Sequence, residues 1–131
     1  LISGYICNLA NAVRKNGDLD RARELYKKSF EIQKKLLGDT HHSLAVTILC
    51  LGNLELACKN FQLSKECFEK AYYVYKNTVG LFCHETALAA ENTAIACSKL
   101  QAFDEGLPWF HHGGELLEKL NLLHMTMPWM N

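Results

Sequence analysis

The sequence repeats itself at a spacing of 42 residues. Ala10, Gly52 and Ala94 share one column of that repeat, Ala22, Ser64 and Gly106 a second, and Ser29, Ala71 and Gly113 a third. These three columns hold only small residues. Tyr26, Phe68 and Phe110 form a fourth column, and Leu19, Phe61 and Phe103 a fifth, both large and apolar. A chain made of copies of one unit folds as stacked units, each burying its neighbour's apolar face. Helices approach to about 8–10 Å only where the crossing residues are small. A bulky side chain one turn away then fills the adjoining hole. Ala22, Tyr26 and Ser29 lie at i, i+4 and i+7, as do Ser64, Phe68 and Ala71, which is one face of a helix.

The pattern predicts two helices per unit, at about 3–15, 19–37, 43–58, 62–79, 85–100 and 104–121. Gly17-Asp18 makes the first break, with Asp18 placed to cap the second helix. Gly38 and Gly80 are natural C-terminal stops. Gly113-Gly114 lies inside the sixth helix and is expected to weaken it by about 1 kcal/mol per glycine. Gly113 has a packing reason from its column, whereas the sequence supplies none for Gly114.

The 131 residues make one domain, with repeats at 1–42, 43–84 and 85–126 and a tail at 127–131. Hydrophobic residues make up 49% and Pro only two positions, which suits a helical chain with a buried core. The expected class is an all-α solenoid of three antiparallel helix pairs. No stretch approaches the roughly 20 apolar residues of a membrane span, so no membrane partner is expected. A net charge of zero argues against a nucleic-acid partner, which calls for a basic excess. The six cysteines contain no CxxC pair, which reads as reduced, mostly buried thiols. That composition, with no signal peptide visible, points to the cytoplasm. The chain begins with Leu, which reads as part of a longer protein, and apolar Trp129 and Met130 would need cover.

With these columns the sequence resembles a tetratricopeptide repeat array. The long unit is similar to the kinesin-light-chain type, whose second helix ends in a Leu-Gly-x-x-His-Pro turn. Leu37-Gly38-Asp39-Thr40-His41 matches that turn, with His42 in the place of Pro. Val79-Gly80-Leu81-Phe82-Cys83 has lost both the Leu and the His. The family's Asn-Leu-Ala appears as Asn8-Leu9-Ala10 and degrades to Cys50-Leu51-Gly52 and Asn92-Thr93-Ala94. Its Gly-x-Tyr-x-x-Ala turn appears as Gly17-Asp18-Leu19-Asp20-Arg21-Ala22.

The resemblance implies a right-handed superhelix whose first helices line a concave groove for a peptide or partner helix. It places Asn8, Cys50 and Asn92 there, followed one turn on by Asn11, Asn53 and Ile95, then by Arg14, Lys15 and Lys99. An Asn amide both donates and accepts, so it can clamp a peptide backbone at two points. The candidate binding residues are therefore Asn8, Asn11, Arg14, Lys15, Asn53, Asn92 and Lys99. Some relatives grip a chaperone's C-terminal carboxylate through a Lys and a second basic residue. Leu88 and Asn92 stand at those places, so the resemblance stops short of that activity.

Enzyme, metal and cofactor chemistry is not expected. There is no HExxH, no GxSxG and no phosphate loop. His111 and His112 point about 100° apart on a helix and cannot easily share an ion. The expected function is a non-enzymatic protein-interaction module, or alternatively a structural segment of a longer solenoid or a self-associating scaffold. Charge bears on the second reading. Residues 1–42 hold eight basic and five acidic side chains (+3), and residues 85–131 hold two and six (−4). Such a gradient is either drift on solvated faces or a dipole that could orient a charged peptide or stack head to tail with another copy.

Overall fold

The computed structural model describes residues 2–126. They form six helices: α1 (Ile2–Lys15), α2 (Leu19–Leu37), α3 (His42–Ala57), α4 (Phe61–Thr78), α5 (His84–Lys99) and α6 (Phe103–Thr126). Five match the predicted elements to within a residue or so. The sixth runs five residues past its predicted end, carrying Met125 and Thr126 within the helix. Trp129 and Met130 lie outside the described residues.

Each helix pair is closed by the same turn. The N–H groups of Asp18, Asn60 and Ala102 donate to the carbonyls of Val13, Glu55 and Cys97, five residues back in each case. The residue before each donor adopts positive φ: Gly17 at 93°, Lys59 at 65° and Gln101 at 60°. This is a Schellman closure, and its left-handed position suits Gly. Repeats two and three accept the strain of a side chain there. Between the pairs, His41 caps α3 by accepting from the Ser43 N–H at Nδ1, 3.1 Å away. His42 opens α3 at the first helical position, which also suits the proline expected by resemblance.

The helices lie in two layers. α2 packs between α1 and α3, and α4 between α3 and α5. Lys70 lies 5.3 Å from the Phe30 ring centroid, joining α4 to α2. Lys65 pairs with Glu105 at 2.8 Å, joining α4 to α6. One core cluster holds Ala10, Ala22, Tyr26 and Leu54. A second joins Leu44, Ala45 and Ile48 to Ala71, Tyr72, Tyr75, Ala89 and Ala90.

The small columns sit at the helix crossings. Ala10, Ala22, Ser29, Ser64, Ala71 and Ala94 are wholly buried. A Cβ at Gly52 would stand 2.6 Å from the Phe68 ring. A Cβ at Gly106 would meet that of Cys97 at 2.9 Å, and one at Gly113 would meet Glu91 Cγ at 2.9 Å. No real Cβ sits so close, so α5 and α6 depend on glycine to touch. This contact, with buried Leu116 and Leu120, carries α6 through its glycine pair. Gly114 faces open space.

The large columns behave as expected in two repeats only. Tyr26 and Phe68 are wholly buried, whereas Phe103 and Phe110 are exposed. Helices α3 and α5 cover the second helices before them; among the described residues, none covers α6 in that way. The thiols also differ from expectation. All six are free, but only Cys97 is buried and the other five are half-buried. A crossing thiol needs only one covered side to pack.

Two alanine substitutions separate the two kinds of glycine. Gly106→Ala should lower stability by about 1–3 kcal/mol through overpacking. Gly114→Ala should raise it by up to about 1 kcal/mol through helix propensity alone. Thermal or urea unfolding followed by circular dichroism checks both signs.

Candidate binding face

The exposed side of each first helix repeats at i, i+4 and i+7. On α5 it reads Leu88, Asn92 and Ile95, with Lys99 a further turn on. On α3 it reads Val46, Cys50 and Asn53, and on α1 it reads Gly4, Asn8 and Asn11. Leu88, Val46 and Ile95 are all exposed despite being apolar. Each of the seven candidate residues therefore lies on a first helix, in α1, α3 or α5.

Their commitments differ. Asn8, Lys15 and Lys99 are exposed, and Asn53 and Asn92 are half-buried. Asn11 is engaged within the fold, because its Oδ1 accepts a short hydrogen bond from the Tyr26 hydroxyl. Burial raises the Tyr26 pKa to about 12, so the phenol keeps its proton and donates. The Asn11 amide N–H groups and the second lone pair of Oδ1 remain for a ligand. The sequence offered one clue, since a buried Tyr needs a partner for its hydroxyl. Arg14 is half-buried, and its charge partly offsets the upward shifts of Tyr26 and Cys50.

Beneath this face, Cys7 of α1 and Cys50 of α3 form a hydrogen-bonded thiol pair between repeats. Donation from Cys50 lowers the Cys7 pKa, while the shared proton and burial push Cys50 upward. Burial raises Cys67 to about 11. Residue types alone did not show this pair, because Cys7 and Cys50 fall one row apart in the repeat.

Polar contacts also fix the first seam. Gln33 of α2 accepts from the Thr47 hydroxyl at 2.7 Å, and both residues are buried. Arg23 Nε donates to the buried Glu55 carboxylate at 2.6 Å, and Asn60 donates to its other oxygen at 3.3 Å. The second seam is aromatic instead. The Tyr72 hydroxyl lies 2.6 Å from His112 Nε2, and its ring meets Trp109 edge-on with centroids 4.9 Å apart. Tyr73, Lys76 and Pro108 complete a shallow pocket there between α4 and α6. His112, to which the sequence assigned no role, is thus a half-buried seam residue. The available signal was slight, since Tyr72 and His112 lie 40 residues apart and miss the 42-residue register by two positions. Among the described residues, no group of three His, Cys, Asp or Glu side chains could hold a metal ion. No described helix is long and apolar enough to cross a membrane.

This architecture is that of a helical-repeat solenoid, and comparison with known proteins identifies the repeat. The family model "Tetratricopeptide repeat" matches residues 4–43. The N-terminal domain of stress-induced protein-1 (STI-1) from C. elegans superposes with a TM-score of 0.74 at 21% identity, covering 94% of each chain. A putative kinesin light chain from P. anserina, with nearly identical tetratricopeptide-like repeats, superposes with a TM-score of 0.68 at 21% identity. That match covers 96% of this chain and 56% of the other. A curated relative, the clustered mitochondria protein homolog of Candida albicans, is 31% identical over 75 residues, or 57% of this chain. The chain spans only about 6% of that protein's length. The fold is therefore a tetratricopeptide-repeat solenoid, as the resemblance to the kinesin-light-chain type implied. Repeats of this kind are generally protein-protein interaction modules.

The thiol pair can be tested directly. Cys7 should react with iodoacetamide at lower pH than an ordinary thiol, while Cys67 stays slow at neutral pH. Cys50→Ala removes the donor and should return Cys7 to ordinary thiol reactivity. Mass-spectrometric mapping of the labelled sites follows each cysteine separately.

Proposed function

We propose that the chain is a non-enzymatic protein-interaction module that holds an extended peptide or partner helix against the faces of α1, α3 and α5. One observation carries the reading. Apolar Val46, Leu88 and Ile95 lie exposed beside Asn8, Asn53 and Asn92. Those three amides make no hydrogen bond within the described residues. Water-facing apolar groups beside unengaged amides suit a ligand that brings both side chains and a polar backbone. Asn8 and Asn92 are the leading contacts, with Lys15 and Lys99 adding positive charge at the edge. A chaperone-carboxylate clamp is not part of this reading, because Leu88 and Asn92 supply no charge. Five half-buried free thiols agree with residence in a reducing compartment such as the cytoplasm.

Asn8→Ala with Asn92→Ala should weaken capture of a bound peptide by about tenfold, as the loss of two net hydrogen bonds would. Helical content should not change, since neither side chain supports the core. Peptides selected from a display library on the wild-type chain provide the probe, and calorimetry provides the affinity. Equal affinity for wild type and variant would remove this face as the site.

A further inference from the structure

The two seams between successive second helices use the same positions and are finished differently. Phe30 of α2 and Lys70 of α4 meet across the first seam, with Lys70 Nζ 5.3 Å from the Phe30 ring centroid. One repeat further on, Tyr72 and His112 stand at those positions and share the 2.6 Å hydrogen bond. Trp109 of α6 packs into that second seam. It meets the Tyr72 ring edge-on and rests on the core cluster that includes Ala90. The residue that matches Trp109 in α4 is Cys67. A thiol is far smaller than an indole, and the first seam stays open.

The opening is a largely apolar groove of about 200 Å³. Ile48 and Leu51 of α3 line it together with Phe30, Leu63, Cys67 and Lys70. It lies where the two core clusters part, with Ile48 in one and Leu51 packed on the other. Leu51 is left half-buried, whereas its match in the second seam, Thr93, is wholly buried. Helices α2, α3 and α4 each have a neighbour on both sides, so the groove belongs to the interior of the array. An apolar cavity of about 150 Å³ already accepts benzene. The groove is therefore on the scale of a larger aromatic ring.

We propose that this groove takes an aromatic side chain, above all the indole of a tryptophan, from a segment of a partner protein. The chain carries its own template for the complex. The incoming ring meets Phe30 as Trp109 meets Tyr72, and it lies over Cys67 on Ile48 and Leu51. Lys70 stands at the edge, where a cation suits an aromatic face. Leu63 is 50% exposed, so the groove opens to solvent. A ring can enter there while the backbone that bears it stays outside. An aromatic anchor in an apolar pocket supplies much of the energy of many interfaces. The site lies in the layer of second helices, apart from Asn8, Asn53 and Asn92, and does not rest on the reading of that face.

Nuclear magnetic resonance of the isotope-labelled chain tests the proposal. The capped tripeptide Ac-Gly-Trp-Gly-NH2, titrated into the millimolar range, should shift the amide signals of Phe30, Leu51 and Cys67 in a saturable way. Ac-Gly-Ala-Gly-NH2 should not. Cys67→Trp supplies from within the chain the side chain that fills the next seam. It should abolish the shifts and raise the melting temperature by a few degrees. Leu63→Glu borrows Glu105 from the matching position of the third repeat and alters only the mouth of the groove. It should stay folded by circular dichroism and weaken the tripeptide about tenfold. Absence of saturable shifts overturns the proposal, as do shifts confined to the exposed faces of α1, α3 and α5. Binding that survives either substitution overturns it too. A lower melting temperature for Cys67→Trp would show that the groove does not fit an indole. Binding of free indole without the tripeptide would make the groove a small-molecule site and remove the partner segment.

Discussion

Close approach of paired helices is the constraint on which everything else here rests. Gly52, Gly106 and Gly113 permit contacts that a single methyl group would prevent. The alanines and serines of the same columns are buried for the same reason. Once a pair is drawn together, its exposed side chains are set at helical intervals. The next pair then meets a surface already shaped. Loss of one crossing would move both layers, because each interior helix is shared by two neighbours.

The seams between repeats use different chemistry on the same scaffold. The first relies on Gln33 with Thr47 and on Arg23 with Glu55, buried polar groups that are matched. The second relies on Tyr72, Trp109 and His112. Polar matching is specific in register but costs desolvation, whereas aromatic burial tolerates small shifts. Repeats with one backbone plan can thus stack through seams that are not interchangeable. That agrees with degradation of the family motif along the chain while the helix pairs persist.

Much of the fold was legible in the sequence. The small columns placed the crossings, and the turns after Lys15, Ala57 and Lys99 recur at one spacing. The candidate face was legible in part. Asn8, Asn53 and Asn92 stand unengaged, but Asn11 accepts from Tyr26 and Arg14 is half-buried. Residue type and spacing name a helix face; they do not say which polar groups the interior will recruit. The same limit applied to Phe103 and Phe110. Their columns are large and apolar in every repeat, but burial depends on what lies outside the repeat.

The sequence by itself determined the helix pairs, their order and the points at which they touch. Those follow from local periodicity and from side-chain volume, which each residue carries with it. Only the tertiary structure decided the pairing of Cys7 with Cys50, the aromatic seam around Tyr72, and the exposure of Leu107, Phe110 and Tyr5. These depend on groups brought together from separate repeats, and on whether a neighbour stands opposite. Gly114 had no explanation within its own helix. The structure places it over open space, so it is not one of the crossing glycines.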